Sequence, residues 1–361
     1  MTETGWDVLV GRDDLARTAY VERPAPSIGP GEALLRPDRV GVTANNVTYA
    51  LVGESMRYWD FFPADDGWGR VPLWGFADVA ESNVDGVAVG TRVYGYLPPS
   101  SDLVVRPDRV DAIGFRDASA HRASLPSPYN IYATTTGDPS YDEHREDLQV
   151  LFRPLFITSF MLADFLDDHA LFGAGTAVIS SASSKTAYGT AFCLGLLDRR
   201  PRLVGLTSAG NVGFTRSLGC YDEVITYDDV TSLPADSTTA YVDIAGSIPL
   251  RRAVHEHLGA SLVHDAVVGA THLDAPPQSG GDVPGPRPTF FFAPDQIRKR
   301  RADWGPGGIE ARYGAAWRAF VPSVEQWVDV LESSGAEGLR SAWLEVLAGR
   351  VDPRRGHVIA L

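Results

Sequence analysis

From about Arg153 onward, short runs of four to six apolar residues alternate with stretches of helical spacing, and this alternation narrows the possible folds more than any other feature. An apolar run of that length between turn residues reads as a buried strand, and strands separated by helices are joined by right-handed crossovers into a parallel sheet. Thr176–Ser180 predicts a strand, Ala187–Leu197 a helix and Arg202–Thr207 the next strand, which makes one strand–helix–strand unit. Helix Val212–Leu218, strand Glu223–Thr226, strand Thr239–Ile244, helix Pro249–Leu258 and strand Ser261–Val268 continue it into a doubly wound sheet. Asp274–Pro288 is a loop rich in Pro and Gly.

The texture before this region is different. Between Gly31 and Arg109, short β-type segments (Ala33–Arg36, Phe76–Ala80, Thr91–Tyr96, Ser101–Val105) are separated by Gly, Pro, Asp and Asn, the pattern of a small barrel or sandwich. At the far end Val324–Leu347 has helical spacing, and Gly356–Leu361 reads as a closing strand able to rejoin the β domain. With 361 residues, two domains are expected.

Charge and cysteine content exclude several functions. A net charge of −14 repels nucleic-acid backbones and anionic membrane surfaces. Cys193 and Cys220 are the only cysteines, too few for a disulfide framework or a cysteine-rich zinc site, so a reducing, cytoplasmic setting is expected. The N-terminus lacks the form of a secretory signal, and no run reaches the ~18 consecutive apolar residues of a membrane span.

The segments PGEALLR (30–36), VGVTANN (40–46), VPLWGFADVAESNVDGVAVGTRVYGY (71–96), LVGLTSAGNVGFTRSLGCYDEVITY (203–227) and YVDIAGSIPLRRAVHEHLG (241–259) come in a familiar order. In that order the chain resembles the medium-chain dehydrogenase/reductase superfamily, most closely its zinc-free, quinone oxidoreductase-like branch, as a divergent subgroup. The resemblance implies an α/β fold made of a GroES-like β-barrel domain and a Rossmann doubly wound parallel sheet. The GroES-like substrate domain is expected over 1–122 and about 322–361, and the nucleotide domain over about 150–321. The resemblance also implies a homodimer paired through sheet edges, and the apolar run Thr289–Ala293 would then be a covered edge.

In the nucleotide domain, the turn that needs glycines to approach a pyrophosphate reads Ser180-Ser181-Ala182-Ser183-Ser184-Lys185-Thr186. Hydroxyls of Ser181, Ser183, Ser184 and Thr186, with the Lys185 cation at a helix N-terminus, can replace them as an anion site; the same serines would also serve as a plain helix cap. No acid follows Arg202–Thr207, which favours NADP(H) over NAD, and Ser208 and Asn211 fall where related reductases receive the 2′-phosphate. Asp243, Gly269, Ala270, Thr271 and His272 lie at strand ends, where the cofactor is expected. Of the other histidines, His255 and His257 are expected on a helix surface and His264 on a strand.

In the β domain, Asn46 stands where many zinc-free relatives carry Asp and Thr43 where they carry Asn; with Tyr49, these are the candidate catalytic residues. Tyr58, Trp59, Phe61, Phe62, Trp68 and Trp74 form an aromatic tract suited to walling an apolar substrate or to packing a core. No zinc is expected, because 40–46 has no Cys and the position of the relatives' Gly-His-Glu run reads Trp74-Gly75-Phe76-Ala77. Arg298–Arg301 is the densest basic cluster, either a solvated helix face or an anchor for a phosphate-bearing tail such as coenzyme A. The expected function is NADPH-dependent, zinc-independent reduction of an activated C=C or C=O of an apolar small molecule, an enone or acyl thioester for example. The alternatives are non-redox chemistry on a CoA-type thioester at a degenerate dinucleotide site, and a cofactor-free binding protein.

Overall fold

The computed structural model describes residues 4–268, 283–349 and 352–361. It divides into two units, one of residues 1–154 with 328–361 and one of residues 155–327. Residues 123–149, outside both domains expected from the sequence, belong to the first unit, as do 150–154 from the start of the expected nucleotide domain.

The first unit contains strands β1 (Thr4–Gly11), β2 (Thr18–Pro24), β3 (Ala33–Val42), β4 (Trp68–Gly69), β5 (Leu73–Ser82), β6 (Arg92–Leu97), β7 (Leu103–Val105), β8 (Pro107–Asp111), β9 (Gly114–Asp117) and β10 (Ile131–Thr134), with helix α1 (Ala44–Leu51) after β3. Helix α2 (Glu146–Asp168) has Pro154 inside it, at the last residue of this unit's first segment. In the second unit follow β11 (Thr176–Ile179), α3 (Lys185–Gly195), β12 (Arg202–Thr207), α4 (Val212–Ser217), β13 (Glu223–Thr226), β14 (Thr239–Asp243), α5 (Ile248–Leu258), β15 (Leu262–Val267), β16 (Thr289–Phe290), α6 (Ala293–Trp304) and α7 (Gly308–Trp327). The chain returns to the first unit with β17 (Asp329–Ser334), α8 (Gly335–Leu347) and β18 (Arg355–Ala360).

The expectation of one helical stretch over Val324–Leu347 is corrected here. Helix α7 stops at Trp327, and Asp329–Ser334 is a strand parallel to β18. Gly335, at φ +64°, then turns the chain into α8. Strand β18 pairs antiparallel with β3, so the C-terminus does rejoin the β domain. The first unit's larger sheet runs β17-β18-β3-β5-β6-β10-β9-β8, with β7 on β3, beside a three-stranded sheet β2-β1-β4. Its core combines Leu35, Val40, Ala77, Val79, Val93 and Tyr132 from strands with Leu339, Ala342 and Val346 from one face of α8.

The second unit's sheet is parallel throughout, in the order β13-β12-β11-β14-β15-β16. Strands β11, β12 and β14 are buried almost without interruption, as a sheet covered on both faces requires. The order reverses direction between β11 and β14, and open α/β sheets hold ligands at such a crossover, beyond the carboxyl ends of the strands. By length and composition Glu143–Asp168 could cross a membrane, but 61% of its apolar window is buried inside the protein, which makes it a core helix.

Candidate functional site

At the crossover of the parallel sheet, β11 ends at Ile179 and the chain enters the serine turn. The Ser180 hydroxyl donates to Asp243 Oδ1 at 3.0 Å and accepts from the backbone N–H groups of Ile244 (3.0 Å) and Ala245 (2.9 Å), joining the ends of β11 and β14. Ser181 takes φ +53°, the left-handed backbone that a glycine would otherwise supply. Its N–H donates to the Tyr227 hydroxyl at 3.2 Å. The turn lies so close to β12 that a Cβ on Gly205 would come within 2.9 Å of the Ala182 Cβ, so the invading glycine is on the neighbouring strand.

The serines divide the work. Ser183 is buried; its Oγ receives Asn211 Nδ2 at 3.1 Å and the Thr207 hydroxyl at 3.4 Å, which ties the turn to the loop after β12. Ser184 is the N-cap of α3 and accepts from the Ala187 N–H at 3.4 Å. Lys185 and Thr186 open the helix, one turn before Gly189, whose bare Cα permits close approach to Ser159. Ser208 is exposed and makes no side-chain cap bond. The structure thus gathers Ser181, Ser183, Ser184, Lys185, Thr186, Ser208 and Asn211 around one strand-to-helix junction, with the helix dipole's positive end at the turn.

Asp243 behaves otherwise. It is fully buried, accepts from Arg251 Nε (2.9 Å) and Nη2 (2.6 Å) and from the Gly246 N–H (2.9 Å), so its carboxylate organises the turn from inside. Gly269, Ala270, Thr271 and His272 lie outside the described residues. His255, expected on a helix surface, is buried against Asp265, because it shares a face of α5 with Arg251 and Leu258. In the basic cluster three of the four cations are taken up by carboxylates: Lys299 by Asp168 and Asp303, Arg300 by Asp164, Asp168 and Asp303, Arg298 by Asp295. A phosphate-bearing tail would have to compete with these pairs.

In the first unit, helix α1 begins with a capping box. Thr43 is the N-cap, and Asn46 Oδ1 accepts from the Thr43 N–H at 2.7 Å while Asn46 Nδ2 donates to the Pro72 carbonyl at 2.8 Å. Both residues therefore hold the helix start in place, and of the two adjacent asparagines it is Asn45 that reaches the aromatic cluster. Its Nδ2 donates to the Tyr49 hydroxyl at 2.7 Å, and Trp74 Nε1 donates to the same oxygen at 3.0 Å. The signal for Asn45 is its i, i+4 spacing from Tyr49 on one helix face.

Tyr49 packs against Tyr58 with ring centroids 4.6 Å apart and edge-on to Tyr96 at 5.6 Å; Tyr129 joins the cluster and its hydroxyl lies 3.2 Å from that of Tyr58. Phe61 and Phe62 pack into this cluster, whereas Trp59 packs with Val10, Ala50 and Trp343 in a separate core and Trp68 lies under the Arg17 guanidinium. Burial, with the neighbouring Tyr58, pushes the Tyr49 phenol far above its usual pKa, against the opposing hydrogen bonds from Trp74 and Asn45. At physiological pH it is a neutral O–H whose oxygen already accepts two N–H donors, which leaves its own proton to give.

Two units of this kind, a mainly antiparallel β unit that the C-terminal strand rejoins and a parallel six-stranded sheet with its crossover after the first strand, are those of the medium-chain dehydrogenase/reductase fold. The solved structures that share it include CurA from Vibrio vulnificus in complex with NADPH (TM-score 0.63, 14% identity, 98% of this chain and 98% of that one). The Etr1p complex with NADP and crotonyl-CoA matches with TM-score 0.58 at 10% identity, over 99% of this chain and 100% of that one. A thermostable alcohol dehydrogenase from Pyrobaculum aerophilum matches with TM-score 0.57 at 15% identity, over 99% and 100%. By sequence, residues 40–352 match the family described as "Protein of unknown function (DUF2855)", and the chain belongs to that family. No curated protein matches it.

Proposed function

We propose that this chain is a zinc-independent, NADPH-dependent reductase acting on an activated C=C or C=O of an apolar small molecule. The observation that carries the proposal is the junction after β11. At the crossover of a Rossmann-ordered sheet, a serine turn runs into the N-terminus of an eleven-residue helix headed by Lys185, and the loop from Thr207 to Asn211 brings no carboxylate beside it. These residues fit a dinucleotide with a 2′-phosphate. NADPH is the ligand named with the Vibrio structure and NADP with the Etr1p complex, which supports the same choice here.

Bound NADPH would supply hydride. The residues of this chain have the remaining tasks. The start of α3, with the Lys185 ammonium, would hold the pyrophosphate; Ser208 and Asn211 would meet the 2′-phosphate, with Asn211 braced on Ser183. Tyr49 would hydrogen-bond the substrate oxygen and give up its proton as charge develops there, while Asn45 and Trp74 steady the phenol oxygen. Tyr58 and Trp74 would offer aromatic faces to an apolar substrate.

Zinc independence rests on the ligand types at 40–46 and 74–77. A homodimer belongs to the same proposal: β16 is the edge of the parallel sheet and Phe290 is 43% exposed there. A chain that is monomeric at micromolar concentration would contradict that part. Two free cysteines fit a reducing, cytoplasmic setting.

The test is turnover. NADPH absorbance is followed with a panel of enones, quinones and enoyl thioesters, in the wild type and in Tyr49→Phe. Oxidation with at least one compound, slowed about 10²-fold or more in the variant, is expected. Oxidation that Tyr49→Phe leaves intact would remove Tyr49 from the chemistry, and no oxidation with any compound would count against the reductase.

A further inference from the structure

Helix α5 carries Arg251 and His255 one turn apart, and both point into the second unit; the His255 side chain has no exposed surface. Adjacent strands β14 and β15 present Asp243 and Asp265 to them. Arg251 bonds Asp243 and lies 3.6 Å from Asp265 Oδ2, and His255 Nε2 is 2.8 Å from that same oxygen. The other ring nitrogen, Nδ1, is 2.7 Å from the carbonyl oxygen of Pro284. Oδ1 of Asp265 is buried with no hydrogen-bond partner among the described residues. A chain of polar contacts thus runs from Ser180 through Asp243, Arg251, Asp265 and His255 to the backbone just before edge strand β16.

The donor inventory bounds the protonation: burial pushes the Asp265 carboxyl up against the opposing His255 and Arg251, so the hydrogen between Nε2 and Oδ2 is held by both partners. A carbonyl only accepts, so Nδ1 carries a hydrogen, and Nε2 faces a carboxylate with which it shares another. With both ring nitrogens protonated, two carboxylates meet two cations and the buried cluster is neutral. We propose that His255 is held as a buried imidazolium that latches the backbone at Pro284 to helix α5, and that loss of its proton releases this latch. After deprotonation one hydrogen must serve two acceptors. If it stays on Nδ1, the Nε2 lone pair points at the Asp265 carboxylate; if it stays on Nε2, the Nδ1 lone pair points at the Pro284 carbonyl. A lone pair facing the Asp265 carboxylate, with Asp243 close by on the next strand, is repelled more than one facing a carbonyl, so the second arrangement is the cheaper one and the contact at Pro284 is given up.

Burial disfavours the charged ring, but the hydrogen bonds to Asp265 and Pro284 outweigh it and hold the His255 pKa above the ordinary histidine value, with Arg251 opposing. The sign follows from that direction. The contact is fully present below the ordinary histidine pKa and is lost as pH rises through the raised one. Release is felt where 283–288 joins β16, whose pairing to the sheet is only two residues long, Thr289 on Ala266 and Phe290 on Val267.

Two measurements on the full chain test this without any nucleotide. The first is an NMR titration of His255. Both ring nitrogens of His255 are expected to be protonated near pH 6, and its midpoint is expected above the ordinary histidine value. The second is amide hydrogen exchange of 285–291 at pH 6 and pH 9, corrected for intrinsic rates, with 202–207 as control. Protection of 285–291 is expected to fall about tenfold at the higher pH, the worth of one charge-assisted hydrogen bond, while the control holds. In His255→Gln the segment is expected to be weakly protected at both values. A His255 midpoint at or below the ordinary histidine value, or wild-type protection independent of pH, would overturn the latch. Both wild-type measurements decide even if the variant does not fold.

Discussion

Helix α1 starts directly after a strand and α3 after the short serine turn that follows one, each on a Thr or a Ser with polar residues behind it, yet they spend those residues differently. At α1, Thr43 and Asn46 close a reciprocal capping box, and Asn46 also bonds Pro72, so the helix start is finished within the protein. At α3, Ser184 caps only the Ala187 amide, and the neighbouring Ser183 is turned away toward Asn211 and Thr207. A helix start that satisfies itself is architecture. One at the crossover of a parallel sheet, headed by a lysine, is where the proposed reading puts an anion. In the first unit the residues suited to chemistry therefore lie one turn further on, at Tyr49, with Asn45 directed at it.

The largest way to break this contrast is to remove what the α3 junction rests on. Asp243→Ala leaves Arg251 buried beside Asp265 without its main partner, and about 3–5 kcal/mol of stability is expected to be lost in denaturant unfolding. A loss under about 1 kcal/mol would mean that Asp243 does not organise the turn. Next comes Tyr49→Phe, which strands the N–H donors of Asn45 and Trp74; a cost of about 1–3 kcal/mol is expected beside the fall in turnover. The sharper form of the comparison sets two adjacent asparagines against each other. Asn46→Ala is expected to cost about 1–2 kcal/mol in thermal or chemical unfolding through the lost cap. Asn45→Ala should cost less than that and instead slow turnover; if the two exchange roles, the assignment of architecture and chemistry in this unit is wrong.

Much of the parallel sheet is legible from sequence because a strand covered on both faces is a continuous apolar run bounded by turns, and Arg202–Thr207 and Glu223–Thr226 have the limits expected of them. The C-terminal region is not so marked. The apolar residues of α7, β17 and α8 can be threaded on a single helical period, and only the pairing of β17 with β18, a tertiary fact, breaks the run. At the site, the serine turn is readable from a strand–turn–helix order, Asn211 only through the family resemblance, and the bond between Ser183 and Asn211 from neither. The choice between Asn45 and Asn46 depends on helix phase: once Thr43 is the N-cap, Asn46 is the third helical residue and belongs to the cap, and Asn45 is left facing Tyr49. The burial of His255 follows from its i, i+4 relation to Arg251, but its partners Asp265 and Pro284 come from other elements and leave no local trace.

The central claim is that the serine turn after β11 holds a dinucleotide, and a calorimetric titration with NADPH, run on the wild type and on Lys185→Ala, tests it most directly. Binding in the range of about 1–100 µM, weakened about fivefold by the variant and unchanged in Asn46→Ala, is the predicted result. Absence of binding, or an affinity that Lys185→Ala leaves untouched, would contradict it.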